Sequence, residues 1–447
     1  MRIRKLTALA GALALSLVAG CASGGSAGSS ANTVTYWLWD ANQLPAYQAC
    51  AKGFEKENPG LKVKITQLGW SDYWTKLTAG FIAGTQPDVF TDHIQNFGQF
   101  ADLKVLEPLD DLGIEDSDYQ PGLAANWIGR DGHRYGAPKD WDTVALFYNE
   151  KMAEAAGLSA EQLNNLDWNP KDGGTFEKAV ARLTIDRNGR RGDEPGFDKD
   201  HVKVYGLASN GGGFGDGQTQ WSNFAASAGW SYLDKPRWGT EYQYGSKTFQ
   251  SVIQWYFGLA KKGYMPPLSD YNIQSNQSNT QVAAGKAAAS FDGAWMISTY
   301  AGFKGMEMKT ALTPVGPTGK RATMMNGLAD SITKASKNKA GARKWVAYLA
   351  SDECQTVVGR YGVVFPATPA GTRAAVAAYD KKGIDVSAFT EPVADKKRFR
   401  TFSYPIASYS ADMTALMAPA MEDIYGNGKP VSSLEKTNDQ INLILGQ

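Results

Sequence analysis

The sequence predicts an α/β protein of two domains, with parallel-rich sheets flanked by helices. Three observations lead there. The chain has 447 residues, more than one ordinary hydrophobic core encloses. Its composition, 43% hydrophobic and 20% charged, belongs to a globular protein rather than to a long disordered chain or a polytopic membrane protein. Strand and helix patterns alternate three times between Val34 and Lys104, which predicts right-handed β-α-β units on a mostly parallel sheet.

The elements follow in order. Val34 to Trp39 is rich in β-branched and aromatic residues and reads as a strand ending at Asp40. Tyr47, Cys50 and Phe54 recur at helical spacing over about 45–57, and Asn58-Pro59-Gly60 stops that helix. Lys62 to Thr66 alternates as a strand. Ser71 is the expected N-cap of a second helix, with Tyr73, Trp74, Leu77, Phe81 and Ile82 on it and Gly84 ending it. Asp88-Val89-Phe90 is a short buried strand, followed by a helix over about 96–104.

Further on, Asp140 to Asn149 reads as an extended strand entering a new domain. Helices are expected around 150–157, 175–184, 217–228 and 246–262, with a long polar, Gly-rich insert at 186–216. Gln281 to Tyr300 gives a small-residue helix, a strand and the loop around Asp292 and Trp295. A helix over about 339–350 precedes a mainly helical C-terminal part, broken near Phe402-Ser403-Tyr404-Pro405. There is no internal repeat.

Several function classes are excluded early. With 46 basic and 45 acidic residues the chain carries no electrostatic footprint for nucleic acid. His93, His133 and His201 are the only histidines, which speaks against a histidine-rich metal centre. The N-terminus pairs Arg2, Arg4 and Lys5 with an apolar run from Leu6 to Val18, shorter than the ~20 residues of a bilayer span. Residues 1–20 are therefore an export signal. It ends Val18-Ala19-Gly20-Cys21, which resembles the bacterial lipoprotein signal and implies a diacylglycerol on the Cys21 thiol. The rest of 21–31 is a flexible Gly/Ser tether. Its G-x-S-x-G match at Gly24 to Gly28 lacks the strand and helix that a nucleophile elbow needs.

In parallel sheets, ligands collect beyond the carboxyl ends of the strands. That rule singles out Trp39-Asp40, Gly69-Trp70-Ser71-Asp72 and Thr91-Asp92-His93. Cys50 and Cys354 are left after the lipidated cysteine, and allow either one disulfide or two buried thiols.

Six segments now bear on kinship: Phe54-Glu55-Lys56-Glu57-Asn58-Pro59-Gly60, Gly84-Thr85-Gln86-Pro87-Asp88-Val89, Leu146 to Lys151, Gly285 to Ala289, Gly293-Ala294-Trp295, and Trp345 to Glu353. In this order, after a lipoprotein-like signal, the chain resembles the cluster-1 extracellular solute-binding proteins, the maltose-binding-protein-like receptors of carbohydrate ABC importers. The resemblance implies a two-lobed periplasmic-binding-protein fold whose hinge is crossed about three times, near 137–147, 323–331 and 362–368. One lobe would be 32–138 plus 330–362, the other 145–323 plus 366–447. Cys50 and Cys354 would share the first lobe, which favours their pairing. It also implies a non-enzymatic monomer, tethered to the membrane by its lipid on the extracytoplasmic face, that presents an oligosaccharide to ABC permease subunits.

A sugar offers apolar C–H faces that lie on flat aromatics and hydroxyls that need directional, preferably charged, partners. The expected ligand contacts are therefore Trp39, Asp40, Trp70, Asp72, Asp92, Asp140, Trp141, Trp221, Asp292, Trp295, Asn326 and Gly327. Plainer roles compete: Asp72 could simply serve its helix start, and Trp37 and Trp74 are assigned to the core. His93 is read as a loop residue. No cofactor is required. Asp186-Arg187-Asn188-Gly189 opens like a calcium loop, but Arg190 takes the place of the fifth-position ligand and Arg191 that of the turn glycine, so a solvated turn is favoured over structural calcium. Two rivals share these residues. A secreted glycoside hydrolase would need two carboxylates about 5–10 Å apart, and a polyamine receptor would pair the same aromatics and carboxylates.

Overall fold

The computed structural model describes residues 32–210, 215–270 and 277–446. The export signal, Cys21 and its tether lie outside the described residues, as does the stretch 211–214 before Trp221.

Among the described residues, thirteen strands occur in chain order: β1 (Thr33–Leu38), β2 (Lys62–Gln67), β3 (Val89–His93), β4 (Ala137–Asp142), β5 (Val144–Asn149), β6 (Ile185–Asp186), β7 (Val202–Leu207), β8 (Ala287–Gly293), β9 (Met308–Ala311), β10 (Arg321–Met324), β11 (Asn326–Ile332), β12 (Phe365–Pro366) and β13 (Phe399–Phe402). They make a six-stranded sheet ordered β12-β4-β11-β3-β1-β2, a five-stranded sheet ordered β6-β7-β8-β5-β9, and the pair β10-β13. In the first sheet β1 runs parallel to β2 and β3, as the repeated β-α-β reading requires, whereas β11 is antiparallel to both β3 and β4. Each large sheet, with its helices, forms one lobe.

Helices α1 (Leu44–Glu57), α2 (Trp70–Ala83) and α3 (Ile94–Asp102) connect the strands of the first lobe. Tyr47, Cys50 and Phe54 of α1 are buried, so its helical spacing faces the core. Ser71 is not the cap of α2. The helix starts one residue earlier, with Gly69 at the N-cap and no side-chain cap bond. It stops at Gly84 in a left-handed conformation, where a side chain would be strained.

The extended run at 140–149 is two strands in two different sheets. β4 ends at Asp142, β5 begins at Val144, and the single residue Thr143 carries the chain between lobes. Both strands are buried throughout, which removes the alternation that would have marked the break. The 186–216 insert contains β7, whose Val202, Val204 and Leu207 were masked by the polar residues around them. The break at 402–405 follows β13, a strand recruited parallel to β10.

Cys50 of α1 and Cys354 of the helix Asp352–Tyr361 form a disulfide, resolving the choice left open by the sequence. It joins segments 304 residues apart inside one lobe, beside the Trp345, Phe54 and Tyr348 rings. Closing so long a loop restricts the unfolded chain strongly. Replacing both cysteines by serine should lower stability by about 2–5 kcal/mol, measured by denaturant unfolding against the oxidised parent. An unchanged midpoint would contradict this.

Candidate ligand-binding cleft

The carboxyl ends of β1 and β3 and the start of α2 bring four rings together. Trp39 meets Trp70 edge-on at 5.1 Å and Trp74 at 5.4 Å between centroids, and Trp70 meets His93 at 5.5 Å. Trp70 is 46% exposed, so this large apolar face is open on one side. Trp74, assigned to the core by its helical spacing, belongs to this cluster, although it also packs on Phe100. His93 joins it from the end of β3. Burial pushes its pKa down to about 3, so the imidazole is neutral.

The His93 tautomer follows from its partners. Its Nδ1 accepts the Gln95 N–H at 3.2 Å as the N-cap of α3, so the ring proton sits on Nε2. The Asn326 amide nitrogen lies 3.2 Å from that Nε2. Asn326 also faces Asp142, and its side-chain hydrogen bond holds the Asp142 carboxyl down.

Asp140 and Asp142 alternate along β4 and share a face. Asp140 is 1% exposed, and neither of its carboxylate oxygens has a side-chain or backbone partner in bonding geometry, although the Leu328 N–H lies close enough to lower its pKa slightly. Burial pushes its pKa up to about 7, opposed by the charge of Lys139. Burial also raises Asp142, with the Asp140 charge adding to it. Asp40 is raised mainly by burial and accepts the Asn42 N–H at 2.8 Å in a turn leading into α1.

The second lobe closes over this edge. Tyr404 approaches His93 at 5.3 Å between ring centroids, and its hydroxyl donates to Gln218 at 2.8 Å. Gln95 of α3 donates to Asp216 across the seam at 3.0 Å, and burial raises Asp216 to about 6. Further out, Trp238 donates its indole N–H to the Ile128 carbonyl at 3.0 Å, with the Arg130 guanidinium over its ring. Arg130 also donates to Ser408, which in turn donates to Asp102. Among the described residues, the three non-glycine positions with left-handed backbone are Lys104, Trp238 and Tyr409. Such a backbone costs a non-glycine residue about 1–3 kcal/mol.

Of the residues expected from sequence, Trp39, Asp40, Trp70, Asp140, Asp142's neighbour Asn326 and the end of β3 meet here. Several others do not. Trp141 points away from Asp140 and is fully buried, stacked on Phe365 at 4.9 Å with its indole N–H on Thr372. Trp221 is equally buried, walled in by Trp230, Tyr232, Tyr244 and Phe249, so it is no platform. Asp292 accepts from Ser278 and Tyr300 within its own lobe, and Trp295 lies against Gly293. Asp92 accepts the His93 N–H and the Ser331 hydroxyl, an internal role. Asp72 is exposed in the first turn of α2, where it favours the helix dipole. Gly327 is needed for packing, since a Cβ there would fall 2.4 Å from Leu123 Cδ1.

Sequence reasoning missed Trp74, His93, Asp142, Gln95, Asp216 and Tyr404. Asp142 carried a signal, its place two residues from Asp140. Asp216 and Tyr404 carried none, since only tertiary folding sets them opposite β3. Among the described residues, no cluster of three or more His, Cys, Asp or Glu could hold a metal. The Asp186 carboxylate accepts the N–H groups of Asn188, Arg190 and Asp198, which makes this loop a self-contained turn.

Comparison with known proteins places this architecture. The family described as bacterial extracellular solute-binding protein matches residues 40–356, and the chain belongs to it. A binding protein of Brucella abortus (strain 2308) is 25% identical over 100% of both chains. A maltodextrin-binding protein of Bacillus subtilis (strain 168) is 25% identical, covering 67% of this chain and 64% of its own. In structure, the ABC substrate-binding protein of Listeria monocytogenes solved with cycloalternan shares the fold, with a TM-score of 0.76 at 20% identity over 93% of this chain and 99% of that one. These are solute-binding proteins, and the protein is accordingly not an enzyme.

Two predictions follow from the seam. Gly98 of α3 sits under Ala407, whose carbonyl oxygen would lie 2.4 Å from an added Cβ. Gly98→Ala should therefore prop the lobes apart and raise the radius of gyration in small-angle scattering, while helix content is kept. An unchanged radius would contradict the contact. Asp140, raised to about 7, binds a proton in the folded state that the unfolded chain releases near an ordinary carboxylate value of about 4. Its contribution to stability is complete below about pH 4 and is lost as pH rises through about 7. Asp140→Asn should melt several degrees above the parent at about pH 8 and converge with it near pH 4, read by calorimetry.

Proposed function

We propose that the protein captures an extracellular oligosaccharide between its lobes and hands it to the permease subunits of an ABC importer. The observation that carries this reading is the open tryptophan cluster of Trp39, Trp70 and Trp74 at the strand ends, together with Asp140, a buried carboxylate with no partner. The rings offer a stacking face for a sugar, and the carboxylate offers bidentate acceptance for its hydroxyls. Relatives named for maltodextrin and maltooligosaccharides support the same ligand class.

The lobes correspond in this reading to 32–138 plus 330–362 and to 145–323 plus 366–447, turning about the crossings at 137–147, 323–331 and 362–368. The export signal and Cys21 fit a lipid-anchored monomer on the outer face of the bacterial cell membrane. Ligand shifts the lobes toward closure only by binding the closed form more tightly.

Calorimetric titration of the purified protein against a panel of mono- and oligosaccharides tests this. One glycan should bind at micromolar or tighter affinity without turnover, and Trp70→Ala should weaken it at least about tenfold. Silence across the panel, or release of shorter sugars, would overturn the proposal.

A further inference from the structure

The charges at the cleft do not balance. Asp40, Asp140, Asp142 and Asp330 act on one another at the ends of β1, β4 and β11. Lys139 is the basic group that reaches them, and it is already engaged. It donates to the Tyr36 hydroxyl at 2.7 Å, lies 3.8 Å from Asp330, and sits 3.3 Å from the centre of the Tyr47 ring. Asp330 is satisfied further by Tyr36 at 2.7 Å. Among the described residues, Asp142 has Asn326 and no basic side chain facing it, and across the seam Asp216 has Gln95, Gln218 and Tyr404, all neutral. His93 is held neutral by burial. Taking an uncompensated carboxylate out of water costs several kcal/mol unless a counter-charge comes with it.

A neutral sugar supplies hydroxyl donors but no charge. A ligand that carries its own cation supplies both. The tryptophan cluster next to these carboxylates suits the same ligand, because indole faces attract cations as well as C–H surfaces. Asp140 adds the independent pointer, a fully buried side chain with both oxygens unpartnered.

We propose that the oligosaccharide received here bears a protonated amine, that its sugar face lies on the Trp39–Trp70–Trp74 cluster, and that its ammonium is received by Asp140 and Asp142. The inference rests on the receptor reading above and narrows it from neutral to amino-substituted glycans. Specificity then comes partly from exclusion, since a neutral glycan closing the lobes leaves the carboxylates buried without a counter-charge.

The test is a matched calorimetric titration of the purified protein at about pH 7, where Asp140 is about half ionised and a sugar amine is still mostly protonated. The probes are a glucosamine oligomer, its N-acetylated counterpart of equal length, a maltooligosaccharide of equal length, and spermidine. The glucosamine oligomer should bind about ten- to a hundredfold more tightly than either neutral glycan, and Asp142→Asn should erase most of that preference. A second readout needs no variant: at about pH 9 the amine is neutral while the carboxylates are ionised, so the preference should collapse. Equal or tighter binding of a neutral glycan overturns this inference and leaves the receptor intact. Binding of spermidine with no glycan bound, or no binding at all, overturns the oligosaccharide reading itself.

Discussion

The structure depends on how the chain passes between its two large sheets. One residue, Thr143, separates β4 in the first sheet from β5 in the second. One residue, Met325, likewise separates β10 of the two-stranded pair from β11 in the first sheet. Such short passages cannot be looped out into solvent, so the strand ends must be buried where the lobes meet. Their backbone is pinned there by side chains: Thr143 donates to the Phe389 carbonyl at 2.8 Å, while Thr323 accepts from the Val144 N–H at 2.9 Å. Asn223 accepts the Met324 N–H at 3.0 Å. Every donor and acceptor of the crossing strands thus has to be met inside the protein.

Against that background, the orphaned carboxylate of Asp140 at the end of β4 is unusual. Several other buried acids are met by side-chain or backbone partners: Asp92 by His93 and Ser331, Asp292 by Ser278 and Tyr300, Asp330 by Tyr36 and Lys139. A natural sequence concentrates such exceptions at functional sites, where an incoming group completes the set. The aromatic cluster around Trp39 and the partnerless Asp140 lie on two sides of His93 and Asn326, whose hydrogen bond ties β3 to β11. The recognition surface is therefore braced by the crossing itself rather than carried on an independent loop.

Local pattern made much of the first lobe legible. The strands and helices from Val34 to Phe100 repeat on a period short enough for each to announce itself, and the strand-end rule located Trp39, Asp40 and Trp70 beside one another. What sequence could not reveal was orientation. Asp140 and Trp141 are adjacent and both polar-capable, yet the strand sends one to the cleft and buries the other against Phe365. Trp221 follows a glycine-rich stretch, as an exposed platform would, but its ring completes the second lobe's aromatic core. Trp74 shows the reverse error, since helical spacing marks a buried face without saying whether that face continues into a cleft. Asp216 and Tyr404 come from segments far from β3 in the chain, and only folding brings them across from it.

A crystal structure of the protein with the glycan selected by titration tests the central claim most directly. The account requires density for the ligand between the two sheets, with ligand donors within hydrogen-bond distance of the Asp140 carboxylate and a sugar face on Trp70. A ligand bound elsewhere, with Asp140 still buried and without a partner, would contradict it.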